Sequence, residues 1–138
     1  MEKSIREAFD LKPASLKSLP TLSLAYVGDA VYELIVRTVL IERSGGKNGA
    51  LHRKAISYVS ARSQALMAEY LKPFLTEEEE AVFRRGKNAK PEHGAKNADE
   101  REYHLATGLE ALIGYLYLDS RKERAIELIK MGFEHAGD

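Results

Sequence analysis

The chain contains no cysteine. That excludes a disulfide framework and a thiolate zinc site, and it suits a reducing compartment. Neither sign of charge is in excess: 21 lysines and arginines balance 21 aspartates and glutamates. Global charge therefore points to no polyanionic partner, and any such signal has to be local. No apolar run reaches the roughly 20 residues that a membrane span needs. The N-terminus, MEKSIREAFDLKP, is charged and lacks the apolar core of a signal peptide. These absences imply a soluble, cytoplasmic protein without a membrane partner. There is also no phosphate-cradling glycine loop of the Walker type, no internal repeat and no convincing strand pair.

What is present is helical periodicity. With 138 residues the chain is long enough for one domain, 1–138, with a real core. Hydrophobic residues make up 44% and charged residues 30%, an ordinary globular balance. Four prolines and ten glycines fall mostly at punctuation points. After Pro20, Thr21 or Ser23 is the expected N-cap of a helix that runs to about Leu40. Residues 44–49, SGGKNG, read as a loop. Leu51, Ala55 and Val59, then Ala65, Leu66 and Leu71, mark two further helices that break near Ser60. Thr76 and Glu79 form a capping box for a helix ending near Arg85. Residues 86–100 read as a loop, Tyr103 to Leu118 as a strongly apolar helix, and 120–135 as a last amphipathic one. The fold class is all-α, with about six to seven helices.

Two of these helices carry acids in apolar surroundings. In LAYVGDAVYELIVR, residues 24–37, the charges Asp29, Glu33 and Arg37 stand four residues apart and share one face. A helix apolar nearly all round is a central one. A carboxylate buried there costs several kcal/mol unless it is paired or bound to a metal. In LATGLEALIGYLYL, residues 105–118, Glu110 is the only charge. Two readings stand side by side. Each acid pairs with a cation, Glu33 with Arg37 for instance, and the pattern is purely structural. Alternatively, Asp29 and Glu110 meet and hold a hard divalent cation, with waters and a substrate phosphate completing its shell. Gly28 and Gly114 sit inside these same helices. Glycine there costs about 1 kcal/mol against alanine, so close helix packing is the expected reason.

The residues also resemble a known family. GDAVYEL, residues 28–34, resembles the ribonuclease III signature, and LEALIGYLYLD, residues 109–119, resembles that family's second acidic helix. With HRKAISYVSARSQA, residues 52–65, and EEEEAVFRRGKNAK, residues 77–90, the pattern is most similar to the Mini-III branch, over about 22–118. The resemblance implies a ribonuclease III-type catalytic domain without an appended double-stranded RNA-binding domain. It implies a homodimer that cuts double-stranded RNA with Mg²⁺ and leaves 5′-phosphates. It implies a role in maturation of the large-subunit (23S) ribosomal RNA precursor, with a ribosomal protein as a candidate stimulator. Asp29 and Glu110 match the family's metal-binding, catalytic acids. Glu33 is left as a supporting residue. Two positions depart from the larger family members: Ala25 and Thr107 stand where those have carboxylates. The alternative is therefore a weak or inactive dimeric double-stranded RNA clamp in ribosome assembly.

Without an appended RNA-binding domain the substrate has to be gripped by this domain itself. Residues 84–96, RRGKNAKPEHGAK, concentrate Arg84, Arg85, Lys87, Lys90 and Lys96 against Glu92 alone, with Asn88 among them. Such a basic stretch can reach phosphates and 2′-hydroxyls across the shallow minor groove of A-form RNA. The plain alternative is a solvated run after a helix end. His52, Arg53, Lys54 and Arg62 form a second basic cluster, with an ordinary amphipathic helix surface as its alternative.

Overall fold

A computed structural model describes residues 1–13, 15–46, 48–89 and 98–136. Seven α-helices, and no strand, occur among them: α1 (Glu2–Ala8), α2 (Thr21–Ser44), α3 (Asn48–Val59), α4 (Ala61–Leu71), α5 (Glu77–Ala89), α6 (Ala98–Leu118) and α7 (Lys122–His135). Short 3₁₀ turns at Leu16–Ser18 and Lys72–Phe74 connect them. None of the described helices is long and apolar enough to cross a membrane. The all-α expectation holds.

The expected cap of α2 does not form: Thr21 and Ser23 both lie inside the helix, which starts after Pro20 with no side-chain cap bond. Two other local signals act as physics requires. Ser60 caps α4 by accepting a hydrogen bond from the Ser63 N–H at 3.2 Å, and this is the expected break between α3 and α4. At the start of α5 the Thr76 hydroxyl accepts from the Glu79 N–H at 3.1 Å, while the Glu79 carboxylate accepts from the Thr76 N–H at 2.9 Å. Both bonds of the capping box are formed. α2 outruns its expected end at Leu40 and stops at Ser44, where Gly45 takes a left-handed φ of 71°. α3 begins inside the expected loop, at Asn48.

The end of α5 needs a larger correction. Gly86 reads as a helix stop, but α5 continues through it to Ala89. A Cβ on Gly86 would lie 2.6 Å from the Ala111 Cβ and 3.0 Å from the Gly108 Cα. The glycine is where α5 seats on α6, so packing outweighs its poor helix propensity. α6 likewise starts at Ala98, ahead of the expected Tyr103.

α6 is the centre of the fold. It packs against α2, α4, α5 and α7, and Leu105, Leu109, Leu112, Ile113 and Leu116 are all at most 1% exposed. Truncating any of these to alanine costs about 2–5 kcal/mol. α2, read as central because it is apolar on so many faces, is not enclosed. Leu24, Val31, Tyr32, Val36 and Leu40 face the core, while Leu22, Tyr26, Leu34 and Ile41 stay exposed. The polar stripe lies on this outer side: Asp29 and Arg37 are exposed and Glu33 is half-buried.

α7 is fastened to α5 through charge. Glu79 is 2% exposed. Arg124 donates to both its carboxylate oxygens, at 2.8 and 2.9 Å, and also to the Phe74 carbonyl. The bonds from Arg124, helped by the Thr76 N–H, hold the Glu79 carboxyl below its ordinary range against the opposing effect of burial.

Candidate active site

α2 and α6 cross at two glycines. A Cβ on Gly28 would lie 1.7 Å from the Glu110 carbonyl oxygen and 2.7 Å from the Gly114 nitrogen. A Cβ on Gly114 would lie 1.9 Å from the Leu24 carbonyl oxygen. Backbone therefore rests on backbone, and no larger residue fits either position. Asp29 directly follows Gly28, and the carbonyl that Gly28 touches belongs to Glu110. The sequence left open whether these acids' helices meet. They do, with the acids flanking the point of closest approach.

The surroundings of the two acids differ. Asp29 is exposed and takes part in no hydrogen bond or ion pair among the described residues. Glu110 is half-buried, and its charge reaches into the core. Tyr32 is 1% exposed; its hydroxyl donates to the Tyr58 carbonyl at 2.9 Å, with the Met67 sulfur 3.8 Å away. Burial first, and then the Glu110 charge, push this phenol far above its ordinary range. Tyr32 thus stays protonated and ties α2 to α3 beside Glu110. Sequence reasoning passed over it, although a tyrosine in an apolar helix always poses the question of its hydroxyl's partner.

Glu33 takes the structural alternative, for Arg37 donates to it one turn along α2. Thr107 is 2% exposed, and its hydroxyl donates to the Tyr103 carbonyl at 2.9 Å. Ala25 is 6% exposed and packs with Leu24 and Ala111. Ala25 and Thr107, the two departures that the resemblance marked, are thus packed interior. Among the described residues no group of three or more histidines and acids gathers around one point. Two carboxylates on facing helices are a sparse, hard-oxygen donor set. That set fits a small divalent cation that retains most of its water, as Mg²⁺ does, and suits neither a dehydrated nor a soft metal.

The basic residues divide. Arg85 and Asn88 are exposed and Lys87 is half-buried, all in the last turns of α5. Arg84 is exposed too, but donates to Glu80 at 2.9 Å. A Cβ on Gly86 would lie 3.2 Å from the Thr107 carbonyl, so this basic end sits about one helical turn from Glu110. Arg53, Lys54 and Arg62 are exposed on α3 and α4. Lys90, Lys96 and the His52 side chain lie outside the described residues.

Comparison with known proteins identifies the family. The model of the ribonuclease III domain matches residues 22–121. The chain is 48% identical to the Mini-ribonuclease 3 of Symbiobacterium thermophilum, over 87% of this chain and 92% of that one. It is also 48% identical to the Mini-ribonuclease 3 of Enterococcus faecalis, over 88% of this chain and 94% of the other. The crystal structure of a protein from Fusobacterium nucleatum superposes with a TM-score of 0.76 at 29% identity, covering 88% of this chain and 97% of that one.

Proposed function

The chain belongs to the ribonuclease III domain family, and from that premise we propose that this endoribonuclease cleaves double-stranded RNA as a homodimer, with Mg²⁺ held by Asp29 and Glu110. The observation that carries the proposal is the glycine-to-backbone crossing of the two helices that bear these acids, with Asp29 next to Gly28 and open to solvent. When bound, the cation supplies the Lewis acidity that activates water and offsets charge developing on the phosphoryl group.

The protein's own residues do the rest. Asp29 presents an uncommitted carboxylate from a rigid helix. Glu110 presents the second from the most buried helix in the fold, a placement that fixes geometry better than a loop does. Arg85, Lys87 and Asn88 on α5, with Arg84 if it releases Glu80, take backbone phosphates and 2′-hydroxyls of the duplex. Arg53, Lys54 and Arg62 take the duplex from the α3–α4 side, and the sequence adds Lys90, Lys96 and His52 as further RNA contacts. Glu33 supports α2 through Arg37. The outer face of α2 forms the dimer contact: Tyr26 is 85% exposed and Leu34 50%. Beside it runs an apolar groove of about 300 Å³ lined by Val31, Leu34, Ile35, Val39 and Ile126. A two-fold dimer then offers one site to each strand. The substrate is the 23S ribosomal RNA precursor, acted on in the cytoplasm, with a ribosomal protein able to stimulate cleavage. All of 1–138 forms the one catalytic domain.

The interior placement of Ala25 and Thr107 favours a second reading, a dimeric RNA clamp with little catalysis. One experiment decides between them. A labelled perfect duplex is incubated with Mg²⁺ or EDTA, using the wild type, Asp29→Asn and Glu110→Gln. Cleavage of both strands that requires Mg²⁺ and both acids is expected. Binding without cleavage, unchanged in either variant, establishes the clamp.

A further inference from the structure

The α2–α6 crossing brings backbone directly onto backbone. Helices pack at about 8–10 Å between axes, depending on the side chains between them, and here none stands between them at either glycine. Each glycine rests on the other helix's backbone one turn from its counterpart: Gly28 on the Glu110 carbonyl and the Gly114 nitrogen, Gly114 on the Leu24 carbonyl and the Gly28 nitrogen. The lock is reciprocal. It lies at the two residues that carry the site, since Asp29 follows Gly28 and Glu110 is one turn before Gly114. The contact at Gly132 is of a different kind. The three atoms nearest to a Cβ there all belong to the Met67 side chain, at 2.4–2.7 Å, and that chain can swing away.

We infer that Gly28 and Gly114 are positioning residues that set the separation of the Asp29 and Glu110 carboxylates, and with it the affinity of the site for a divalent cation. The inference rests on the metal-site reading above. A Cβ at Gly114 faces a carbonyl oxygen at 1.9 Å where ordinary contact begins at 3.4 Å. The helices must therefore part by about 1.5 Å, the difference of those two distances. A displacement of that size exceeds the roughly 0.5 Å within which a ligand constellation has to be held. The acids keep their identity and exposure but lose their spacing. Perturbing the support of metal ligands typically weakens binding about 10–100-fold.

The test is direct Mn²⁺ binding by isothermal titration calorimetry, with Mg²⁺ competition, at a temperature where each variant is folded by circular dichroism. Wild type, Asp29→Asn, Gly114→Ala and Gly132→Ala are compared. Gly114→Ala is expected to bind about 10–100-fold more weakly, and Gly132→Ala like the wild type whatever its melting temperature. Folded Gly114→Ala with wild-type affinity overturns the inference. So does an equal loss in Gly132→Ala, because the effect is then general loosening. If Gly114→Ala does not fold, Ala25→Val is the milder wedge at the same crossing, with Ala25→Gly as its counterpart that adds no bulk. Equal Mn²⁺ affinity in those two overturns the inference, and weaker affinity in the valine variant alone supports it. Failure of the underlying reading has a separate signature: the wild type binds no Mn²⁺, or Asp29→Asn binds it undiminished.

Discussion

Two junctions between helices in this protein each involve an acid, and they use it in opposite ways. Where α5 meets α7, Glu79 is 2% exposed and every demand it makes is met: two bonds from Arg124 and one from the Thr76 N–H. Where α2 meets α6, Asp29 is exposed and carries no hydrogen bond or ion pair among the described residues. A satisfied, buried carboxylate is a fastener. Its partners fix its charge, and nothing is left over for a ligand. An open carboxylate beside a close backbone contact contributes little to stability and is left available for something that arrives from solvent. Glu79 stands in a run of four glutamates and Asp29 in an apolar segment, so the role of each follows from its partners and not from the pattern.

The sharpest way to break this comparison is to remove the charge of Asp29 while keeping its shape. Asp29→Asn is expected to lower Mg²⁺-dependent duplex cleavage on the order of 10³-fold, the value of a few kcal/mol of lost charge stabilisation. Its thermal midpoint should move by no more than about 2 °C, as an exposed, unpartnered side chain allows. If the midpoint falls steeply instead, Asp29 is a fastener as well, and the contrast with Glu79 disappears.

Arg124→Ala should show the reverse profile. It strands Glu79 in the interior, which costs about 3–5 kcal/mol, or roughly 10–20 °C in midpoint. Cleavage per folded molecule should remain near wild type below that temperature. The pH dependence sharpens the assignment. The folded Glu79 carboxyl is held below its ordinary value of 4.5, so the unfolded chain takes up its proton first. The stability from the pair is fully present above about pH 4.5 and fades as pH falls through the folded value. In Arg124→Ala the fastener is gone, and protonation relieves the stranded charge. The destabilisation caused by the substitution should therefore shrink between pH 7 and pH 3, measured by urea denaturation. A constant penalty across that range would mean that Glu79 is not what Arg124 holds.

How far these two junctions were legible in the sequence follows the same division. The capping box at Thr76 and Glu79 could be read because both partners lie within one turn. Arg124 could not, because it joins Glu79 across 45 residues and looks like any other cation on an amphipathic helix. The family blocks around Asp29 and Glu110 were recognisable, and Gly28 and Gly114 stood out as costly in helix interiors. That each glycine rests on the other helix's peptide groups is a tertiary fact with no local signature. The misjudged end of α5 has a similar cause: Gly86 is a helix breaker by propensity and a packing device against α6 in the fold. α2 and α6 also look alike as strings of apolar residues, and only the structure separates the enclosed helix from the one that leaves Tyr26 and Leu34 uncovered.

The basic end of α5 offers a smaller effect with a distinctive form. Arg85 is exposed and, in the proposed function, contacts phosphate without reading sequence. Arg85→Ala should weaken duplex binding by similar amounts for unrelated sequences and lower the slope of log K against log salt by about 1. Arg84, already engaged with Glu80, should lower it less. Filter binding at several salt concentrations gives both slopes. Equal slopes for wild type and Arg85→Ala would place the RNA elsewhere, and the α3–α4 cations would be next.

The smallest effect belongs to Glu33, which lies on the Asp29 stripe but behaves like the acids of the fastened junction. Its partner Arg37 is 68% exposed and Glu33 itself 33%, and exposed pairs four residues apart in a helix contribute about 0.3–0.5 kcal/mol. Glu33→Gln should therefore shift the thermal midpoint by about 2 °C at most and leave cleavage within roughly twofold, because an acid already paired along its own helix has no charge to lend the site. A loss of cleavage approaching that of Asp29→Asn, with the midpoint unmoved, would mean that Arg37 gives up Glu33 when substrate and cation arrive. The open crossing would then hold a third acid, recruited from a surface pair and not from the positions that Ala25 and Thr107 occupy.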